Sequence, residues 1–331
     1  MDGPWQIGQK SASAYGALAA QTAKAMRLID PEIELVACGS SNPRMETFPD
    51  WEETVLDHAY DQVDYISLHI YLREEAGLQD LMVQSVEMDQ QIRSIIAACD
   101  LVKARKRSSR TMMLSFDEWN VWYHARESDQ EAMRDRPWTV APPIGEETYT
   151  AADAIAVGSM LLTLMRHAGR VRMACIAQLV NVLAPLMTET GGRSWKQTIW
   201  YPFVQASNYG RGELLYSSLS SPMIDTERYD AQPAIESTVT RDQDAGTVTV
   251  FALNRSVDEP VRLRAQLPGP GRLRLVEATR LHDADPHATN TADQPNRVTP
   301  RPIADAKLNG HVLETVLPPL SWNVFRLAGV V

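Results

Sequence analysis

The hydrophobic pattern changes its period once along the 331-residue chain, near Gly212, and this change limits the fold more than any other feature. Before it, helical spacing alternates with short apolar runs. Ala12–Ile29 places Leu18, Thr22, Ala25, Met26 and Ile29 along one helical side, and Asp30-Pro31 ends it, since proline cannot extend the hydrogen-bonded ladder. Glu34–Gly39, Tyr65–Tyr71, Thr111–Phe116 and Ala174–Val182 read as strands, and Phe48–Val63, Leu81–Lys106 and Ala151–His167 as the helices between them. Strands joined through helices run parallel. Residues 1–212 therefore predict four strands with three helical crossovers, which is half the strand count of an eight-stranded (β/α) barrel. A long loop containing Pro137, Pro142 and Pro143 precedes the last helix.

Past Gly212 the helices stop. Val261, Leu263, Ala265 and Leu267 alternate with Arg262, Arg264 and Gln266, the two-residue period of a half-buried strand. Similar runs occur at Val248–Ala252, Leu273–Leu281, Val312–Leu317 and Trp322–Leu327. Turns are set by Pro268, Gly269, Pro270 and Gly271 and by Pro318-Pro319. Residues 213–331 are expected to form an antiparallel β-sandwich. The polar, turn-rich stretch Ala284–Arg301 is expected to be a mobile loop.

Charge and cysteine usage narrow the function. Thirty-two basic against 42 acidic residues give a net charge of −10, which disfavours a nucleic-acid partner held through phosphates. An uncharged polymer such as a polysaccharide fits better. The apolar run Ala154–Met165 is broken by Gly158, Ser159 and Thr163, so no segment is expected to span a membrane. Three widely spaced cysteines, Cys38, Cys99 and Cys175, suggest a reducing, cytoplasmic compartment without disulfides. No zinc-protease, paired-cysteine, dinucleotide-binding or serine-elbow motif is present, and no metal or cofactor is expected.

The strongest chemical signal is Phe116-Asp117-Glu118-Trp119-Asn120-Val121-Trp122-Tyr123. In a parallel barrel the C-terminal strand ends carry the active site, so a carboxylate there faces substrate, with the tryptophans suited to the C–H face of a sugar. A solvated acidic turn after a strand is an equal alternative. Adjacent strand residues point oppositely, so only one of Asp117 and Glu118 is expected in the pocket, the other packing or holding a neighbour. His69 and Tyr71, two apart, share one face. His69 reads either as a hydrogen-bonded core residue or as part of a site, while Tyr71 could orient a carboxylate. Gln178 and Asn181 interrupt an apolar run, and a buried amide needs partners, from a ligand or from a neighbouring strand.

These residues resemble a known family. Phe116–Trp122 is similar to the nucleophile segment of the family 51 α-L-arabinofuranosidases, Tyr65–Tyr71 to the family's strand with a His-x-Tyr, and Ala177–Asn181 to its last barrel strand. Trp195–Gly212 resembles its link between domains. The resemblance covers essentially the whole chain. It implies the C-terminal half of a (β/α)8 barrel in residues 1–212, followed by a β-sandwich in residues 213–331. It also implies a retaining, exo-acting enzyme that releases terminal arabinofuranose from arabinoxylan, arabinan or their oligosaccharides. Residue by residue it makes Glu118 the nucleophile, with Tyr71 beside it, Gln178 on the arabinofuranosyl hydroxyls, Trp122 lining the pocket and His69 as a further support.

One departure is severe. The family's acid/base Glu stands directly before a Met-Asp-Gly-Pro-Trp segment, and this sequence opens with Met1-Asp2-Gly3-Pro4-Trp5. The chain is therefore expected to be a C-terminal portion that lacks the acid/base and is nearly inactive alone. The intact protein is expected to assemble into homo-oligomers, as family members do. The rival reading is a non-catalytic remnant that binds carbohydrate or a partner.

Overall fold

Small residues decide how the chain starts. Helix α1 (Ala12–Ile29) is capped by the Ser11 hydroxyl, which accepts from the Ala14 N–H. It buries Gly16, Ala20 and Ala23 instead of the larger apolar side expected from its sequence. These small residues let it lie close to helix α2 (Asp50–Ala59): a Cβ on Gly16 would stand 3.1 Å from Val55 and from His58. Leu18, Met26 and Ile29 are left exposed.

The computed structural model describes residues 1–123, 131, 134–136, 138–140, 145–267 and 271–330. The proline loop at Pro137, Pro142 and Pro143 and the turn at Pro268–Pro270 lie outside them. The chain divides into two compact units, the first being Met1–Tyr71, Val86–Asn120 and His167–Ala177, the second the remainder.

The first unit holds a sheet with strand order β1 (Val36–Ala37), β2 (Tyr65–Leu72), β3 (Met113–Val121) and β4 (Val171–Ile176), and β1 on β2 and β3 on β4 pair in parallel. Parallel strands need a crossover, which the helices supply. α2 buries Trp51, Val55, Leu56 and Ala59. A short helix α3 (Leu78–Val83) precedes helix α4 (Ser85–Lys106), so the single helix expected over Leu81–Lys106 is broken at Gln84. In the first unit α4 buries Met88, Ile92, Ile95, Cys99 and Val102, a helical stripe. β3 runs past the expected end at Phe116 through both carboxylates, and β4 stops at Ile176, before the residues expected to finish it.

In the second unit, the strands Glu213–Leu215, Ile235–Asp242, Thr247–Asn254, Arg272–Leu281, Arg301–Pro302 and Ser321–Val330 form one antiparallel sheet. Val261–Gln266, Lys307–Asn309 and Val312–Leu317 form a second. Val250, Ala252, Phe325 and Leu327 of the first sheet share one core with Leu263, Leu313 and Leu317 of the second. Antiparallel sheets packed face to face in this way make the sandwich. The larger sheet is covered on its other face as well. Helix α5 (Ala151–Arg166) begins in a capping box, Asp153 N–H donating to the Thr150 hydroxyl at 3.2 Å and Thr150 N–H to Asp153 at 2.8 Å. It lies so close to Trp322 that a Cβ on Gly158 would stand 2.7 Å from the indole. Helix α6 (Trp200–Tyr209) adds Gln205, whose Oε1 accepts from the Trp322 indole N–H at 2.9 Å. This packing places residues well before the expected boundary at 212 in the same unit as the sandwich. Ala284–Arg301 is anchored, since Asn290 is buried and donates to Val298 O at 2.9 Å and Lys196 O at 3.1 Å. Among the described residues no helix is long and apolar enough to cross a membrane.

Candidate active site

Between Phe116 and Trp119, β3 carries one residue more than β4. Phe116 pairs with Ala174 and the next pair is Trp119 with Ile176, so Asp117 and Glu118 form a bulge. A bulge suspends the alternation of side chains. Both carboxylates consequently reach one histidine of β2, which corrects the expectation that adjacent residues would part. His69 Nε2 is 3.0 Å from Asp117 Oδ1, and His69 Nδ1 is 3.4 Å from Glu118 Oε2. The Tyr71 hydroxyl, two residues along β2, donates to Glu118 Oε1 at 2.5 Å. Burial pushes the Tyr71 phenol well above its ordinary range, and the hydrogen bond to Glu118 adds to the shift, so the group remains a donor. The two side-chain oxygens of Glu118 thus have separate partners, while 45% of its side chain is open to solvent. It is held yet reachable.

The bulge rests on buried supports. Trp119 and Phe116 are fully buried on either side of it. Asn120 is buried and donates to Ala177 O at 2.6 Å, and Ala177 N–H donates to Trp119 O at 3.1 Å, fastening the end of β3 to that of β4. From α4, the Gln91 amide donates to the His69 carbonyl at 3.1 Å, fixing the backbone under the imidazole.

A second cluster follows β1. Gly39 N–H donates to the Ser67 hydroxyl at 3.0 Å, and a Cβ at Gly39 would meet Ser67 O at 2.1 Å, so glycine is required there. Ser40 N–H donates at 2.7 Å to Glu52, a fully buried carboxyl that burial raises above its ordinary value. Asp2 accepts from the Ser41 hydroxyl at 2.6 Å and from its N–H at 3.1 Å, tying the first residues to this segment. The Met1 amino group lies 3.8 Å from the Cys38 sulfur. Burial raises the Cys38 thiol, the nearby amino group opposes this, and the charges of Asp2 and Asp117 reinforce it.

Of the expected site residues, the structure brings His69, Tyr71 and Glu118 together in the first unit. Trp122 and Gln178 belong to the second. Trp122 is half-buried and its backbone N–H donates to Leu72 O at 2.9 Å. Gln178 is exposed and follows β4, not a buried amide within it, because the strand has already ended. Asn181 has φ of 65° and its side chain is spent on Thr188, accepting from the Thr188 N–H at 2.8 Å, which is a structural role. Sequence reading undervalued Asp117: two adjacent carboxylates at a strand end were a usable sign, but the bulge that unites them is invisible in residue order. Among the described residues no group of three or more His, Cys, Asp or Glu side chains is placed to hold a metal ion.

Residues 117–321 match the family model described as the α-L-arabinofuranosidase C-terminal domain. The chain belongs to the family 51 α-L-arabinofuranosidases. An "Intracellular exo-alpha-(1->5)-L-arabinofuranosidase" of Halalkalibacterium halodurans is 50% identical over 328 residues, and the corresponding enzyme 1 of Bacillus subtilis is 47% identical over 328. Each match takes in 99% of this chain and 65% of the relative, so the chain spans about two thirds of the length of these arabinofuranosidases. Among solved structures, a family 51 α-L-arabinofuranosidase from Bifidobacterium longum superposes with a TM-score of 0.93 at 40% identity, covering 99% of this chain and 66% of that one. The α-L-arabinofuranosidase of Thermotoga maritima shares the fold at a TM-score of 0.81 and 24% identity, covering 98% and 64%.

Proposed function

We propose that this chain is the C-terminal portion of a retaining, exo-acting α-L-arabinofuranosidase whose nucleophile is Glu118. The observation that carries the reading is the Glu118 carboxylate at the bulge of a parallel strand, half open, with Tyr71 and His69 on its two oxygens. One carboxylate oxygen would attack the anomeric carbon, the glycosidic C–O bond would break, and a sugar ester would form on Glu118. A second carboxyl about 5–5.5 Å away protonates the leaving oxygen and later activates the water that cleaves the ester. We assign that acid/base to a residue immediately preceding Met1 in the intact protein. Trp122 and Gln178 are assigned to binding the arabinofuranosyl group.

The first unit's sheet is read as the second half of a (β/α)8 barrel, with residues 213–331 as the appended sandwich. In support, β4 leaves Arg172, Ala174 and Cys175 exposed. The substrates are read as arabinose-containing oligo- or polysaccharides, and the compartment as the cytoplasm, in line with the word "Intracellular" in the relatives' names.

The test uses an arabinofuranoside with a dinitrophenolate leaving group, which needs no acid to depart. Without an acid/base the ester should persist, so the chain gains the mass of one arabinosyl residue on the peptide containing Glu118, and Glu118→Gln gains none. A folded chain that stays unlabelled, or is labelled elsewhere, removes the nucleophile assignment and leaves the non-catalytic, carbohydrate-binding reading.

A further inference from the structure

The backbone that carries Trp122 away from the end of β3 is bonded at three successive residues. Tyr149 donates its hydroxyl to Val121 O at 3.0 Å, Trp122 N–H donates to Leu72 O at 2.9 Å, and Tyr123 N–H donates to Glu147 Oε1 at 3.2 Å. The Tyr123 hydroxyl is held as well, donating to Asp153 Oδ1 at 2.7 Å. Both peptide groups that flank the Trp122 Cα therefore have fixed partners. Three of the four bonds come from one short segment, residues 147–153, which leads into α5.

That segment is itself fastened from the side of the sandwich. Glu147, Tyr149 and Asp153 are buried, and so is Gln197. Gln197 Oε1 accepts from Tyr149 N–H at 2.9 Å, while its amide donates to Glu147 O at 2.9 Å and to Ala184 O at 2.8 Å. The first N–H groups of a helix find no partner within it. In α5 those of Ala151 and Ala152 donate to Ala288 O at 2.8 Å and Pro286 O at 2.9 Å, in the stretch that follows the strand Arg272–Leu281 of the larger sandwich sheet. All these residues lie in the second unit. A buried carbonyl deprived of its donor is costly, so the Tyr149 hydroxyl and Val121 O hold one another in place.

We propose that Tyr149 is a positioning residue for sugar binding: its hydroxyl on Val121, with Glu147 and Asp153 on Tyr123, fixes the backbone that presents Trp122 to the arabinofuranosyl group. The sandwich, through the carbonyls of Pro286 and Ala288, thereby takes part in holding substrate. Tyr149 touches no sugar, and no bond is made or broken by it. The role rests on the reading of Trp122 as a sugar-binding residue. With the backbone set in advance, the sugar does not have to order it; with the hydroxyl gone, that ordering falls on the binding step. Binding weakens by about three- to tenfold, the effect of one hydrogen bond, while attack by Glu118 on bound sugar keeps its rate.

The test measures arabinosylation of the full chain by the dinitrophenolate donor over a range of donor concentrations, which separates the half-saturating concentration from the limiting rate. Tyr149→Phe, which removes only the hydroxyl, should raise the half-saturating concentration about three- to tenfold and leave the limiting rate within about twofold. Tyr123→Phe, which loosens the other side, should shift it in the same direction. Leu313→Ala, in the sandwich core, should lower the unfolding midpoint at least as far and leave the half-saturating concentration unmoved. An unchanged half-saturating concentration in folded Tyr149→Phe overturns the proposal, as does a loss confined to the limiting rate, or an equal rise in Leu313→Ala. If Tyr149→Phe does not fold, Tyr123→Phe decides by the same criterion. Trp122→Ala checks the underlying reading. If it leaves the half-saturating concentration at the wild-type value, or if the wild-type chain takes no sugar on Glu118, that reading falls and this role with it. If Trp122→Ala raises the concentration and Tyr149→Phe does not, the role of Tyr149 alone falls.

Discussion

The two units bury their sheets to different depths. In the second, the strand Thr247–Asn254 is covered on both faces, with Val250 and Ala252 in the sandwich core and Phe251 against Trp322 at 5.6 Å on the side of α5. In the first, β4 leaves Arg172, Ala174 and Cys175 exposed, and α1 exposes Leu18, Met26 and Ile29. The pair of acids on β3 belongs to the less completely covered sheet. Close packing on both faces fixes a strand, whereas a carboxylate that must meet a ligand needs one side left open. The sandwich sheet is therefore closed on both faces, and the sheet that carries Asp117 and Glu118 is not.

The comparison can be broken most directly at Trp322. Trp322→Ala should cost about 3–5 kcal/mol, through an indole-sized cavity between α5 and the sheet and the loss of its bond to Gln205, read as a lowered denaturation midpoint. A cost below about 1 kcal/mol would mean that the second face is loosely packed after all. Gly158→Ala probes the same contact from the helix. Its Cβ would press on the indole at 2.7 Å, so a destabilisation of about 1–3 kcal/mol is expected, although alanine is the better helix former.

The first unit offers a pH probe. Burial would raise the Asp89 carboxyl, but hydrogen bonds from His167 at 2.7 Å and Arg93 at 2.6 Å outweigh it and bring the group down to about 2. A carboxyl depressed in the folded state stabilises fully above its ordinary value of about 3.9 and loses that contribution as pH falls through the folded value. Thermal unfolding should therefore show a loss between about pH 4 and pH 2 that His167→Gln reduces; an unchanged acid profile in that variant would count against the pairing.

The smallest expected effect sharpens the contrast. Met26→Ala on the exposed face of α1 should change stability by less than about 0.5 kcal/mol. A cost several times larger in equilibrium unfolding, falling on dilution, would show that a second copy covers that face.

Much of this was legible in residue order. The change of period near Gly212 separates helix-joined parallel strands from antiparallel ones, because side-chain alternation and helical spacing are local properties of the backbone. Thus Val261–Gln266 and Tyr65–Leu72 fall within a residue or two of where their patterns put them. Helix α1 was placed correctly and turned wrongly: its apolar stripe names the larger residues, but close approach to α2 selects Gly16, Ala20 and Ala23. Glu118, Tyr71 and His69 were legible as residue types at strand ends. Their meeting was not.

The sequence by itself determined most of the longer strands and helices, where the antiparallel part begins, and which side chains bring a carboxylate, a phenol and an imidazole to the strand ends. Only the tertiary structure decided that α5 joins the sandwich, that Gln178 lies outside its strand, and that Asp117 and Glu118 close on the same imidazole. The reason is that register between β3 and β4, and the bulge it produces, depend on residues some sixty positions apart, Phe116 with Ala174 and Trp119 with Ile176, and no local pattern records that pairing.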